Sequence, residues 1–316
     1  MQDVRSPRKT CAVRSHAATA LIALVVANIA LASGALFVRL TDVGPVAAGF
    51  WRLGIATPLL FAAAVAMGNR PVRSSRGLWG VLTIAGLAFA ADLASWHLGI
   101  VRTTLANATL LGNSATLLFP IYGFIAARMW PSRLQGLALA LAAIGGGLLL
   151  GRSASLSSEH LAGDLFCLFA GLLYAIYFIL MARARERLAP VPALALSSLA
   201  TIPPLLILAL ALGEQVMPGN WWPLIALAVV SQLIGQGCMI YALGHLTPLV
   251  IGIALLIQPV VGAAFGWALF DERLAAADMF GAVLVAAALV LVRQSGAGER
   301  ARAQALAPGA GEPKST

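Results

Sequence analysis

Outside the stretch ADLASWHLG (91–99), charge in this chain is pushed into short gaps between long apolar runs. Ala17–Val38 holds 22 residues without a charge, and Leu188–Gly213 holds 26. Gln215–Phe270 holds 56, in which His245 alone can take a positive charge. About 20 apolar residues cross a bilayer as a helix, so the longest run contains two crossings, joined near Gly244–Pro248. Charges, Gly/Pro clusters and aromatic ends divide the chain into ten predicted spans. They are 17–38, 45–68, 77–100, 104–127, 134–151, 163–182, 190–213, 221–243, 248–270 and 274–292. The pattern predicts an all-α polytopic membrane protein. Residues 1–16 form a basic N-terminus, and 294–316 form a disordered tail rich in Ala, Gly, Glu and Arg.

Composition agrees. Hydrophobic residues make up 60% and charged residues 10%, against about 25% charged in a soluble chain. The first apolar run exceeds the roughly 7–15 residues of a signal-peptide core, so it reads as a span. With the N-terminus cytoplasmic, inner segments carry 16 of the Lys and Arg residues and outer segments 5, among them Arg39, Arg52 and Arg102. That split predicts both termini in the cytoplasm and a location in the inner (plasma) membrane. It also explains the net charge of +9 without nucleic acid as a partner. Six of seven tryptophans (Trp51, Trp79, Trp130, Trp221, Trp222, Trp267) fall near span ends, as an interfacial belt requires. Trp96 is the exception. The three cysteines show no metal or redox spacing.

Ten spans fall into two sets of five. Comparison of 96–150 with 239–292 at an offset of 143 sets Gly99 on Ala242, Thr116 on Pro259 and Met129 on Glu272. Because five is odd, the second set is expected to sit inverted relative to the first, as in many secondary transporters. The expected halves are 17–151 and 163–293, joined by the loop 152–162. The segments LFVRLTDVGPVAAGFWRLGIATPLL (36–60), WHLGIVRTTLANATLLGN (96–113) and IQPVVGAAFGWALFDERL (257–274) resemble helix junctions of the EamA-type branch of the drug/metabolite transporter superfamily. Within it the chain is most similar to amino-acid and methyl viologen exporters of the YddG type. The resemblance implies two inverted five-helix repeats, alternating access, and a cavity lined by spans 1, 3, 4, 6, 8 and 9. Where that family often has Pro and Glu, the first half has Thr116 and Met129, so a role for that pair carries over only to Pro259 and Glu272.

Polar residues at membrane depth are the candidate site, because ionisable groups there are costly and functional by default. The stretch ADLASWHLG (91–99) places Asp92, Ser95, Trp96 and Gly99 at i, i+3, i+4 and i+7 on one helix face. His97 points about 100° away from Trp96, toward the cavity edge or another helix. Asp92 reads as the only acid well inside a span, with Asp278 near the start of the last. Asn107 and Asn113 in the fourth span, Gln232 and Gln236 in the eighth, and Gln258 in the ninth complete the polar set. Tyr174 and Tyr177 share a face of the sixth and, with Trp96, could form an aromatic wall. Pro120 and Pro259 are candidate gating kinks. For most of these residues, helix packing and interhelical hydrogen bonding are the competing explanation.

No Lys is expected at mid-membrane, and every Arg near the spans is expected at a span end. Fixed cations against phosphates are therefore not expected. The remaining set suits a neutral zwitterion or a weakly cationic, partly apolar solute. No motif for catalysis, a metal or a cofactor is expected. The expected activity is export of small metabolites, with neutral or aromatic amino acids favoured and lipophilic cations such as methyl viologen second. Proton coupling through Asp92 or His97 would give antiport. Without it the protein is an uncoupled uniporter. An intramembrane enzyme and a structural protein are the remaining classes.

Overall fold

The computed structural model describes residues 7–114, 157–246 and 257–272 continuously, with scattered residues of 118–145, 250–255 and 276–291. The described residues form helices and no strand. They are α1 (Pro7–Leu40), α2 (Pro45–Ala66), the short α3 (Pro71–Ser74), α4 (Trp79–Ile100) and α5 (Leu105–Gly112). After these come α6 (Ser158–Arg185), α7 (Pro190–Ala211), α8 (Trp222–Leu243) and α9 (Ile257–Phe270). Among the described residues, six helices are long and apolar enough to cross a membrane: Ala18–Leu40 of α1, with α2, α4, α6, α7 and α8. α9 is a shorter apolar helix. The expected fourth span appears as its start, α5. The rest of that span, with Thr116 and Pro120, and the fifth and tenth spans lie wholly or largely outside the described residues.

Local chemistry fixes where these helices begin. Pro45 opens α2 at a position where a missing N–H costs nothing, and Pro190 does the same for α7. The α2 amides of Val46 and Ala47 donate to the Glu214 carboxylate at 3.2 and 2.8 Å. Ser157 caps α6, its hydroxyl accepting from the His160 amide at 3.0 Å. That cap starts α6 five residues before the position 163 that hydropathy suggested, and so carries Asp164 inside the helix.

α4 packs on α6 and α7, and α8 packs on α1 and α2. α1 also packs on α9, and α6 on α5, while α2 meets α7 and α5 meets α9. Exchanging α1 with α6, α2 with α7, α4 with α8 and α5 with α9 reproduces this set of contacts.

Small residues let these helices approach closely. A Cβ on Gly99 would lie 2.8 Å from the Gly163 carbonyl oxygen and press on Cys167 Sγ. One on Gly86 would lie 2.7 Å from the Ser197 carbonyl oxygen. Gly99 therefore faces α6, where its lack of a side chain lets the two backbones meet.

One end of the bundle is tied by polar groups. Arg39, at the end of α1, donates to the carbonyls of Ile100 and Thr103 and to Glu272, the second residue after α9. Glu272 also accepts the Leu105 amide that opens α5, at 2.9 Å. The expected ninth helix is not continuous. Helix reaches Ala254, a turn lies at Leu255, and helix resumes at Ile257. Pro259 falls in the first turn of α9, where its lack of an N–H breaks no bond of that helix. It thus marks a restart, where the sequence suggested a kink.

Candidate functional site

α4 supplies one wall of a buried cavity. Phe89, Asp92, Leu93 and Trp96 line it, and their i, i+3, i+4, i+7 spacing puts them on one face. α1 adds Leu31 and α2 adds Arg52. α5 and its end add Gly112 and Asn113, α6 adds Tyr174, α8 adds Gln236 and α9 adds Gln258. The space among them is ≈ 400 Å³ when the solvent at its open side is counted, and the room for water-sized molecules within it is ≈ 40 Å³. Gly112 is small because Trp96 lies against it: a Cβ there would come within 2.9 Å of the indole nitrogen.

Arg52 departs from the expectation that every Arg sits at a span end. It is 2% exposed and about 10 Å along α2 from Pro45, two helical turns inside the bundle. Its Nε donates to Gln232 Oε1 at 3.0 Å, and its guanidinium lies 5.9 Å from the centre of the Phe89 ring. Gln232 in turn donates to Ser198 of α7 at 3.2 Å. So Gln232 orients Arg52 and is not on the cavity wall. An Arg eight residues into a 22-residue apolar helix is the same signal that marks Asp92, and it was legible.

Asp92 is on the wall, as expected. Its carboxylate accepts no hydrogen bond from a described residue. A second buried acid lies nearer a helix start. Asp164 is fully buried in α6, where it accepts from Thr103 at 2.5 Å and from Asn107 at 3.2 Å. That contact takes Asn107 away from the cavity.

The remaining candidates divide. Asn113 donates to Gln258 at 3.1 Å, and Gln258 donates to Asn28 of α1 at 2.9 Å. This chain of amides joins α5, the restart of the ninth helix, and α1 at the cavity. Asn28 was not among the expected residues. Tyr174 donates to Gln236 Oε1 at 3.1 Å, whereas the buried Gln236 Nε2 has no partner. Tyr177 lies behind the wall, stacked on Phe89 at 4.4 Å between centroids. The aromatic lining is thus Phe89, Trp96 and Tyr174. Ser95 is buried but off the wall. His97 is fully buried, and its Nδ1–H donates to the Pro45 carbonyl at 2.8 Å, packing α4 on α2. Pro120 lies outside the described residues.

Residues 161–294 match the EamA-like transporter family. An uncharacterized transporter of Archaeoglobus fulgidus is 23% identical over 241 residues, covering 75% of this chain and 83% of that protein. A solved crystal structure shares the fold with a TM-score of 0.66 at 17% identity, over 89% of this chain and 99% of the other. The family match and the six apolar helices agree on a multi-pass membrane protein. The family match begins within α6, so it covers the second of the two sets of helices that pack reciprocally.

Proposed function

We propose that this protein is a secondary transporter that exports small, partly apolar metabolites, with neutral and aromatic amino acids favoured. One observation carries the reading. Polar groups of both halves (Arg52, Asp92 and Asn113 with Tyr174, Gln236 and Gln258) meet at one cavity between helices. Placing so many polar groups at membrane depth is costly, and a solute path is what offsets the cost. Two inverted five-helix repeats in the inner membrane, with both termini cytoplasmic, are the architecture we infer. The reciprocal helix contacts and the family match support it. Movement of one half against the other would open the cavity to each side in turn. The interrupted ninth helix, with Gln258 at its restart, is a natural place for that movement to act.

Proteoliposomes loaded with each of the twenty amino acids, or with methyl viologen, test this. Saturable efflux of one or more amino acids is expected. Absence of efflux for every compound would remove this substrate range. Lipophilic cations remain the second reading because Asp92 and three aromatic rings face the cavity.

A further inference from the structure

We propose that Arg52 and Asp92 are the two poles of a zwitterion site. Arg52, with the Gln236 amide, takes the substrate's carboxylate, and Asp92 takes its ammonium. This rests on the transporter reading and names the chemistry of its substrate.

Both charged groups are more than nine-tenths buried, and both line the same cavity. Bringing either charge out of water costs several kcal/mol, by order of magnitude, unless a partner compensates. The obvious compensation is a direct ion pair. Arg52 and Asp92 do not form one: among the described residues the one such pair is Arg39–Glu272. Arg52 instead commits Nε to Gln232. Its two terminal nitrogens, the edge that grips a carboxylate in bidentate fashion, bond to no described residue. The Asp92 carboxylate is equally without a donor. An acceptor and a donor of opposite charge thus face one cavity with their valences open.

Gln236 adds an independent sign. It is fully buried, its Oε1 is taken by Tyr174, and its Nε2 has no partner. Buried amides rarely stay unpaired, so Nε2 is open to an acceptor, whether the neighbouring Tyr177 hydroxyl, which also lacks a partner, or a bound carboxylate. Arg52 and Gln236 both attach to the α8 side, Arg52 through Gln232, one helical turn before Gln236. Asp92 stands on α4 with Trp96 one turn further along and Phe89 one turn before it. An α-amino acid carries its carboxylate and ammonium on one carbon, which matches two poles around one small space. Its side chain would lie against Trp96 and Tyr174. Arg52 also repels a lipophilic dication, so the site selects against methyl viologen.

The test uses L-phenylalanine, phenethylamine (ammonium only) and 3-phenylpropionate (carboxylate only). Equilibrium binding to the purified full chain in detergent is measured separately from flux in proteoliposomes. Wild type is expected to bind L-phenylalanine at least about tenfold tighter than either analogue, the effect of one charge-assisted contact. Arg52→Gln should abolish the preference over phenethylamine, and Asp92→Asn the preference over 3-phenylpropionate. Arg52→Lys keeps the charge and should keep the preference, which covers failure of Arg52→Gln to fold. Equal binding of the three compounds by wild type, no binding of L-phenylalanine, or equal loss for all three in both variants would overturn the site. Selective binding without flux would overturn the transporter reading and leave the site standing.

Discussion

Arg39 Nη1 lies 2.5 Å from Glu272 Oε1, and the same carboxylate takes the amide that opens α5. Two helices from opposite ends of the sequence are joined there, and a third begins on the same group. Glu272 satisfies a helix N-terminus that would otherwise present bare N–H groups, and it neutralises the Arg39 that binds the carbonyls of Ile100, the last residue of α4, and of Thr103.

Removing that carboxylate should therefore loosen the bundle end before it touches the cavity. Glu272→Ala is expected to cost about 1–3 kcal/mol, the range for hydrogen bonds to charged groups. Glu272→Gln keeps an acceptor for the Leu105 amide and should cost less. Chemical unfolding in detergent ranks the three proteins. Identical stabilities would show that the tie contributes nothing to stability.

The α4–α6 crossing leaves no room at Gly99. Gly99→Val should lose about 1–3 kcal/mol or fail to fold, because the Gly163 carbonyl is backbone and cannot turn aside. Gly80 of the same helix is open: a Cβ added there would meet nothing within 4 Å. Gly80→Ala should be neutral or stabilising by helix propensity. Folded yield and unfolding midpoint of the pair separate contact from propensity.

If export is coupled to protons, Asp92 is the residue placed to do it. A carboxylate that holds either a proton or a substrate ammonium exchanges one for the other. An opposing pH gradient should accelerate wild-type flux and leave Asp92→Asn flux unchanged. His97→Asn should keep the gradient effect, since His97 is occupied with Pro45 behind the wall. Gradient-independent flux in wild type would mean uniport.

Chemical labelling should separate wall from packing. Cys167 is fully buried and should be inert in a chain lacking Cys11 and Cys238. On that background, cysteine at Asn113 or Gln258 should react with a small maleimide and be protected by L-phenylalanine. Cysteine at Asn107 or Tyr177 should show no such protection. Uniform reactivity across all four would remove the division drawn between them.

Particular residues show how far the sequence could be read. Asp92, Trp96, Asn113, Tyr174, Gln236 and Gln258 were legible, because a polar or aromatic residue in an apolar helix announces its own cost. Arg52 carried the same signal and was lost by rounding a helix position to the nearest loop. Asp164 stood second in the expected span 163–182 and so read as an end residue, whereas the Ser157 cap begins the helix at Ser158 and sets Asp164 a turn and a half inside.

What the sequence determined by itself is the class. Its apolar runs are long enough, and its charges scarce enough, to leave only helices packed within a membrane. What tertiary structure alone decided is partnership. Gln232 and Gln236 sit four residues apart, yet one orients Arg52 and the other lines the cavity and accepts from Tyr174. Asn107 and Asn113 divide between Asp164 and Gln258 in the same way. Periodicity assigns a residue to a face of its own helix. Which other helix that face meets depends on contacts between segments far apart in the chain, and no local pattern records them.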